Sequence, residues 1–274
     1  MTDDSRLQRR VQRYGWDRAS SSYEQSWQKQ LEPAQTRLME MAALKPGERV
    51  LDLACGTGLV TFRAAVAVGD HGSVIGTDIS DGMIEECTRV AAGRGIHNVT
   101  FRRMEAEQLD FPAAEFDAVL CGLGMMYVTD FARSIREMFR VTRPGGRAVS
   151  AVWGRRDHCA WSEIFEIVQR RVSSEVCPMF FQLGTGDTQK MLFEAAGFVN
   201  VRSDRLSTLL EYESGEGACT AAFVGGPVAM AYSRFDEATR ASAHAEYIAS
   251  IAAHRRGDGY TLPGEFVVTT GYQR

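Results

Sequence analysis

The sequence predicts an α/β protein whose strands form a mainly parallel, doubly wound sheet. Short apolar runs, typical of strands buried on both faces, alternate along the chain with segments whose apolar residues recur at helical spacing. Strands and helices that alternate in this way form parallel sheets through crossover connections. The chain has 274 residues, of which 45% are hydrophobic, and this is enough for one sizeable core. Because no Pro/Ser/Gly-rich linker interrupts the chain, we expect a single domain.

The first half of the chain supplies most of the predicted sheet. A helix over 33–44, with Leu38 and Met41 at helical spacing, ends at a Lys-Pro-Gly turn at 45–47. Five strands follow, and a Pro-Gly-Gly turn at 144–146 leads into the fifth. The expected strands are 48–53, 73–78, 99–103, 116–121 and 148–153, and the expected helices between them are 61–68, 81–94 and 131–141.

The two ends of the chain are expected to cover this core, which spans 33–153. Residues 1–32 have little regular apolar period but many aromatic side chains, so they form either a helical cap over a cleft or ordinary packing against the domain surface. In the C-terminal part, 154–274, a mostly helical insertion at 214–256 precedes the last strand. Together with the cap, this insertion forms either a lid over a binding site or a dimerisation surface. The remaining expected elements are helices at 161–172 and 188–196 and strands at 199–210 and 265–270.

Charge and cysteine content argue against several classes of function. Lysine plus arginine number 31 and aspartate plus glutamate 35, so the net charge of −4 argues against nucleic acid as the main partner. No apolar stretch is long enough to predict a signal peptide or a membrane span. The cysteines form no CxxC pair and no histidines have metal spacing, so we expect no metal site and free thiols in a reducing cytoplasm. The six cysteines lie at 55, 87, 121, 159, 177 and 219.

The most informative segment is the glycine turn that follows the first predicted strand. Gly56 and Gly58 let the backbone approach a ligand closely, and the helix that follows offers unpaired N–H groups. Asp78 ends the second strand, 20 residues after Gly58, where its carboxylate could accept hydrogen bonds from both ribose hydroxyls. A turn or helix-capping role is the alternative for this aspartate. The dinucleotide fingerprint needs a third glycine where this chain has Thr61, so a pyrophosphate ligand is disfavoured.

Five segments resemble, in order and spacing, the successive motifs of the class I S-adenosylmethionine-dependent methyltransferases. The branch that the chain resembles most is that of the ubiquinone/menaquinone-biosynthesis C-methyltransferases and their small-molecule relatives. The resemblance covers 33–153 well and the rest in outline. It implies S-adenosyl-L-methionine as the cofactor and a Rossmann-like, seven-stranded sheet whose last strand is antiparallel. The five segments are 50–58, 76–83, 104–111, 116–128 and 140–146.

The resemblance also implies a set of cofactor-binding residues. Asp52 would orient the glycine turn or meet the methionine ammonium group through water, and Asp78 would hold the ribose diol. Glu105 lies where relatives commonly have an aspartate for the adenine amine, one methylene shorter. Ala54 replaces the first glycine of the commonest loop, as it often does in this branch. The other expected contacts are Cys55, Gly56 and Gly58 around the methionine and ribose, Ile79 and Met83 on the faces of the adenine, the backbone N–H of Ala106, and Cys121, Gly122 and Leu123 beside the sulfonium.

The chemistry implied by the resemblance needs few catalytic residues. A methyl group on a sulfonium is already activated, so the protein mainly has to align it with a nucleophile and exclude water. A base is needed only where the acceptor must lose a proton. Two residues near the carboxyl edge of the sheet are candidates for catalysis: His158, which follows the fifth strand, and Tyr127, which follows the fourth and would orient an acceptor oxygen. The alternatives are a surface-loop histidine and a packing tyrosine.

The sequence therefore predicts transfer of a methyl group to carbon, oxygen or nitrogen of a small, largely apolar or aromatic molecule, by a monomer or a homodimer. A first alternative keeps the cofactor but uses it for another reaction or only as a structural ligand. A second is a nicotinamide-dependent oxidoreductase, against which Thr61 and the turn at 144–146 argue. A third is a noncatalytic binding module.

Overall fold

Eight strands form the central sheet within residues 3–172 and 180–274, which the computed structural model describes. The strands are β1 Arg49–Leu53, β2 Ser73–Asp78, β3 Val99–Arg103, β4 Phe116–Gly122, β5 Thr142–Trp153, β6 Val199–Tyr212, β7 Arg255–Arg256 and β8 Gly259–Tyr272. Seven of them pair in the order β3-β2-β1-β4-β5-β8-β6. β8 pairs antiparallel with both of its neighbours, β5 and β6, and the pairs from β3 to β5 are all parallel.

This topology confirms the predicted α/β sheet, mainly parallel and with an antiparallel last strand. Leu51 of β1 lies between Ile75 of β2 and Val119 of β4, and all three are buried, as apolar runs in a sheet with two covered faces should be. The two-residue strand β7, which pairs with the start of β8, is an addition to the seven predicted strands.

β8 is much longer than the strand predicted at 265–270. Its pairing with β5 begins at Phe266, whereas its pairing with β6 begins already at Tyr260. Pro263 therefore lies where the strand has a neighbour on one side only, and a residue without an N–H donor is tolerated there. This part of the strand was not predicted because the Pro-Gly pair at 263–264 is unusual inside a strand.

Nine α-helices are present in the described part of the chain. The helices are α1 Asp3–Ala42, α2 Leu59–Val68, α3 Asp81–Arg94, α4 Phe131–Val141, α5 Ile164–Gln169, α6 Thr188–Ala196, α7 Gly215–Phe223, α8 Ala229–Tyr232 and α9 Glu237–Ser250. α1 contacts α2 and α3, while α4 and α6 contact each other. None of the described helices is long and apolar enough to cross a membrane.

The first helix joins two segments that were predicted separately. The expected cap at 1–32 and the expected helix at 33–44 form the single helix α1, which continues through Pro33. Proline usually marks a helix start because it lacks an N–H donor, so the sequence favoured a break at this point. Leu31, Ala34 and Leu38 are buried on both sides of the proline, and this packing holds the two halves together.

The C-terminal part follows the predicted order with shorter elements. The expected helix at 161–172 is a 3-10 turn, Ala160–Glu163, followed by the short α5. The expected helical insertion between β6 and β8 contains α7, α8 and α9, and a Gly-Gly-Pro turn at 225–227 separates the first two. The five cysteines in the described part of the chain are free, and Cys177 lies outside the described residues.

Candidate active site

A cleft opens at the carboxyl ends of β1, β2 and β4, where ligands of open α/β sheets bind. It encloses about 750 Å³, including its open mouth. The first half of α1 forms its roof, and the loops after the three strands form its floor. The cleft is lined by Arg9, Gln12, Trp16, Tyr23, Ala54, Gly56, Asp78, Ile79, Met83, Met104, Glu105, Ala106, Glu107, Gly122, Leu123, Gly124, Tyr127, Val128 and Thr129.

The glycine turn brings its backbone to the floor of this cleft. Ala54 and Gly56 have φ angles of 51° and 55°, in the left-handed region that glycine adopts without strain. No atom lies within 4 Å of where a Cβ on Gly56 would stand, so this glycine faces open space. At Gly58, with φ of 90°, a Cβ would lie 2.5 Å from the ring of Phe62. Gly58 therefore shapes the turn and does not line the cleft, whereas Ala54 and Gly56 do.

Asp78 ties the glycine turn to the start of α3. Its carboxylate accepts one hydrogen bond from the N–H of Gly56 at 3.0 Å and another from the N–H of Ser80 at 2.9 Å. Burial raises the pKa of Asp78 more than these backbone hydrogen bonds lower it, and the resulting pKa is about 6. Each carboxylate oxygen keeps a further lone pair. A ribose diol in the cleft could donate to both.

The side of the cleft next to Asp78 combines apolar and charged residues. Ile79, Met83 and Ala106, which were predicted to contact the adenine, line it. Glu105 also lines it, and its carboxylate lies 3.3 Å from the guanidinium of Arg9 on α1. The same guanidinium lies 3.4 Å from Glu107, a second acidic residue of the wall. These ion pairs join the roof of the cleft to the side wall that follows β3.

Three further predicted contacts are buried beneath the lining. Asp52 is 1% exposed and accepts a hydrogen bond from the hydroxyl of Thr61 at 2.6 Å, and burial raises its pKa to about 7. Cys55 and Cys121 are also buried and do not line the cleft, whereas Gly122 and Leu123 do. Asp52 of β1 is therefore joined to Thr61 of α2 and does not line the cleft, and its role in orienting the glycine turn stays a prediction.

A narrow aromatic chamber continues from the cleft toward β5, and its free volume of about 10 Å³ has room for about one water molecule. Four residues line both spaces: Trp16, Tyr23, Leu123 and Tyr127. Tyr127 therefore lies at the junction of the two spaces. The remaining lining residues of the chamber are Trp27, Leu31, Met126, Trp153, Trp161, Gly225, Gly226 and Pro227.

His158 does not line the cleft or the chamber. Its Nδ1 lies 2.8 Å from a carboxylate oxygen of Glu265 on β8. The other oxygen of Glu265 accepts from the N–H of Arg155 and from the guanidinium of Arg205. Burial raises the pKa of Glu265, but these donors outweigh it and the pKa is lowered. The structure brings Tyr127 to the cleft and leaves His158 in a separate cluster of charged residues.

Sequence reasoning missed the residues that reach the cleft from α1 and the tryptophans at the far end of the chamber. Arg9 and Gln12 follow no motif, because their position depends on how α1 lies over the sheet. Trp153 ends β5 at the carboxyl edge, and its position alone could have identified it. Trp161 lies in the turn that follows this strand.

Comparisons with known proteins agree with this geometry. Residues 50–146 match a family described as a methyltransferase domain. The chain is 36% identical over 132 residues to the aklanonic acid methyltransferase DauC of Streptomyces sp. (strain C5), which is 48% of this chain and 60% of that protein. It is 31% identical over 184 residues to the ubiquinone/menaquinone biosynthesis C-methyltransferase UbiE of Edwardsiella ictaluri, covering 62% of this chain and 73% of UbiE.

The fold is shared with solved structures as well. YcgJ of Bacillus subtilis superposes with a TM-score of 0.61 at 17% identity, over 89% of this chain and 99% of YcgJ. The chain spans only 60% of the length of DauC, so that relative's own activity is not carried over with the match. The sheet order, the glycine turn with Asp78, and the match to UbiE lead to one conclusion: the chain belongs to the class I S-adenosylmethionine-dependent methyltransferases.

Proposed function

We propose that this protein transfers a methyl group from S-adenosylmethionine to a small, largely apolar or aromatic acceptor that enters the cleft at its aromatic end. The observation that carries the proposal is that one cleft combines the glycine turn and Asp78 with a group of aromatic side chains. Trp16, Tyr23 and Tyr127 line the same cleft as Gly56 and Asp78.

The residues of the cleft fit the cofactor. Gly56 faces open space, so a ligand can lie against its backbone. The carboxylate of Asp78, 6% exposed, has lone pairs free for a ribose diol. Ile79 and Met83 offer apolar contact to a flat base, and Glu105 offers an acceptor for an amine. When bound, S-adenosylmethionine supplies a methyl group on a positively charged sulfur, activated for displacement.

The protein contributes position and exclusion of water. The roof formed by α1, held by the ion pairs of Arg9 with Glu105 and Glu107, covers one side of the cleft and limits the access of water. Trp16, Tyr23 and Tyr127 line one end of the cleft, where the hydroxyl of Tyr127 would orient an oxygen of the acceptor. His158, outside both spaces, is assigned no step.

The charge of the chain supports a small-molecule acceptor, and its cysteines support a location in the reducing cytoplasm. The net charge is −4, which disfavours binding to nucleic acid phosphates. The five cysteines in the described ranges are free, as expected of thiols in a reducing compartment. We leave a monomer and a homodimer as the two forms to be tested by sedimentation.

Two measurements test the proposal. S-adenosylhomocysteine at 100 times its Kd should stabilise the protein by about 2.7 kcal/mol, while NAD and NADP should have no effect. Cofactor with a labelled methyl group should then label a product when the protein is incubated with a panel of phenols, naphthols and aromatic ketones. Stabilisation by the nicotinamide cofactors instead would refute the assignment of the cleft. Tight binding of S-adenosylhomocysteine with no labelled product from any acceptor would indicate a binding module or a different reaction.

A further inference from the structure

A carboxylate from the roof of the cleft reaches the start of α3, next to Asp78. One oxygen of Asp17 on α1 accepts a hydrogen bond from the hydroxyl of Ser80 at 2.6 Å and another from the N–H of Gly82 at 3.2 Å. Asp17 and Ser80 are 63 positions apart along the chain, so these contacts depend on the packing of α1 across the sheet edge. The roof of the cleft is thus bonded to the residues that directly follow Asp78.

The two hydrogen bonds of Asp17 complete the cap of α3. Ser80 is the N-cap residue of this helix, and its hydroxyl oxygen accepts from the N–H of Met83 at 3.1 Å. Other N–H groups of the first turn have no partner inside the helix, and Asp17 accepts from that of Gly82. A negative charge is also favourable at a helix N-terminus. Ser80 is 0% exposed and is therefore held by α3 on one side and by α1 on the other.

Ser80 connects Asp17 to Asp78. The N–H of Ser80 donates to one carboxylate oxygen of Asp78 at 2.9 Å, while the N–H of Gly56 donates to the other at 3.0 Å. A continuous set of hydrogen bonds therefore runs from Asp17 through Ser80 to a carboxylate that lines the cleft. Because Ser80 bonds to one of the two oxygens of Asp78, the position of Ser80 helps to fix the direction in which they point.

The charge of Asp17 also acts on Asp78. Burial is the main cause of the raised pKa of Asp78, and the negative charge of Asp17 raises this pKa further. Removing that charge should therefore let Asp78 stay ionised at a lower pH. Burial raises the pKa of Asp52 on β1, the other carboxyl group that interacts with Asp78, to about 7. Asp52 is unchanged in all the variants described below, so its effect is common to all of them.

The remaining titratable groups around Asp78 are a phenol and two thiols, which stay neutral between pH 5 and 8. Burial raises the pKa of Tyr23 on α1 and that of Cys121 on β4. A hydrogen bond with Cys87 and burial together raise the pKa of Cys55 in the glycine turn. Changes in cofactor affinity over this pH range therefore depend on the carboxyl groups.

We propose that Asp17 is a positioning residue for cofactor binding, which holds Asp78 in place through Ser80 and whose charge shifts the binding of cofactor toward higher pH. Asp17 does not line the cleft, so it acts on the cofactor only through its neighbours. The roof helix α1 thereby takes part in the cofactor site. The proposal rests on the proposed function, in which Asp78 holds the ribose diol.

Two substitutions separate the hydrogen bonds of Asp17 from its charge. Asp17→Asn keeps an acceptor oxygen for Ser80 and Gly82 and removes the charge, whereas Asp17→Ala removes both. The Kd of S-adenosylhomocysteine is measured by calorimetric titration of the whole chain from pH 5 to pH 8. At pH 8, Asp17→Ala should bind about three- to tenfold more weakly than the wild type, and Asp17→Asn within about twofold of it. In Asp17→Asn the midpoint of the pH profile should move down by about 0.5 pH unit.

A second measurement separates positioning from general support of the fold. In an Asp78→Asn background, Asp17→Ala should change the Kd by less than about twofold, because the carboxylate that Asp17 positions is gone. A role in folding alone would weaken binding by the same factor in both backgrounds. Thermal unfolding checks that each variant is folded, and if Asp17→Ala does not fold, the pH profile of Asp17→Asn decides.

Asp81→Asn is the matched control. Asp81 also joins the start of α3 to α1, through Arg13, and it lies 3.4 Å from the guanidinium of Arg103. Its side chain is 47% exposed and has no hydrogen bond to Ser80 or Asp78 in the described part of the chain. The affinity of Asp81→Asn and its pH profile should therefore match those of the wild type.

Three results would overturn the proposal. They are a Kd of Asp17→Ala within about twofold of the wild type, the same loss of affinity in both backgrounds, and a midpoint in Asp17→Asn within about 0.2 pH unit of the wild type. Each of these would count against Asp17 alone. If Asp78→Asn itself bound as tightly as the wild type, the assignment of Asp78 to the ribose would fail, and this proposal would fail with it.

Discussion

Replacing Asp78 with asparagine separates its role in cofactor binding from its role in folding. The carboxylate is 6% exposed, and its pKa is raised from 3.8 to about 6. A shift of that size means that the ionised form costs about 3 kcal/mol of folding free energy at pH 8. The asparagine removes this cost, but it keeps one acceptor oxygen for the N–H groups of Gly56 and Ser80 where the aspartate has two. Losing one such bond costs about 1–3 kcal/mol, so the two changes nearly cancel and the fold should keep its stability within about 2 kcal/mol.

The affinity for the cofactor should fall in Asp78→Asn, because no second effect of the substitution offsets the loss. A ribose diol that donates to two charged oxygens loses about 1.5–3 kcal/mol when an amide replaces them, which is about 12- to 150-fold in Kd. The assay is calorimetric titration with S-adenosylhomocysteine at pH 8, paired with urea unfolding of the same preparation. Asp117→Asn is the control, because Asp117 accepts from the N–H of Arg49 at the opposite end of β4 and its loss should leave the affinity unchanged. An affinity of Asp78→Asn within about twofold of the wild type would refute the reasoning.

The same residue predicts opposite pH dependences for binding and folding. Because the pKa of Asp78 in the fold is about 6, its carboxyl group is protonated below that pH and offers one acceptor fewer. The affinity of the wild type for S-adenosylhomocysteine should therefore fall as pH is lowered from 8 to 5, and that of Asp78→Asn should not. The stability of the unliganded protein changes in the opposite direction with pH. Because the pKa of Asp78 is raised in the fold, its carboxyl group contributes stability below pH 4, and this contribution is lost as pH rises through 6.

Three further variants test the support of the site. Burial raises the pKa of Asp52 from 3.8 to about 7, so the stability that its protonated form contributes is lost as pH rises from 3.8 to about 7. In urea unfolding, the free energy of unfolding of the wild type should therefore be lower at pH 8 than at pH 5, and the difference should be smaller in Asp52→Asn. An equal difference in the two proteins would contradict this. His158→Gln should leave turnover within about twofold in steady-state kinetics, since the ring contacts Glu265 outside the cleft, and a loss of tenfold or more would return His158 to the chemistry. Arg147→Met should lower the free energy of unfolding by about 3–5 kcal/mol, because it leaves the carboxylate of Glu48 without its buried partner; a loss below about 1 kcal/mol in urea unfolding would show that the pair is dispensable.

The sheet could be predicted closely because its signals are local. The bounds of β2, β3, α3 and α4 agree with the predicted segments, since each is a short apolar run or a helical stripe bounded by a cap or a turn. β8 was predicted too short, because Pro263 argues against a strand wherever both neighbours are assumed. α1 was divided at Pro33 for the same kind of reason. In both cases long-range packing overrides a local preference.

For the candidate site too, local signals could be predicted from the sequence and long-range packing could not. The glycine turn and Asp78 could be identified from the sequence because each follows directly from the end of a strand, and parallel strands end at one edge. Their spacing was enough to suggest a ligand with a ribose, and the resemblance to a family then implied S-adenosylmethionine. The depth of Asp52 and Cys121 beneath the lining could not be identified, since burial depends on how the loops fold over one another.

By itself, the amino-acid sequence determined the parallel core, the glycine turn with Asp78 at the sheet edge and the likeness to one family, because these depend on residues close together along the chain. Only the tertiary structure decided which aromatic side chains lie beside this edge. Trp27 on α1, Trp153 at the end of β5 and Trp161 in the turn after it form one chamber only once α1 has packed across the sheet. No local sequence pattern predicts this packing of α1 against the end of β5, because its free energy comes from apolar surface buried between distant segments.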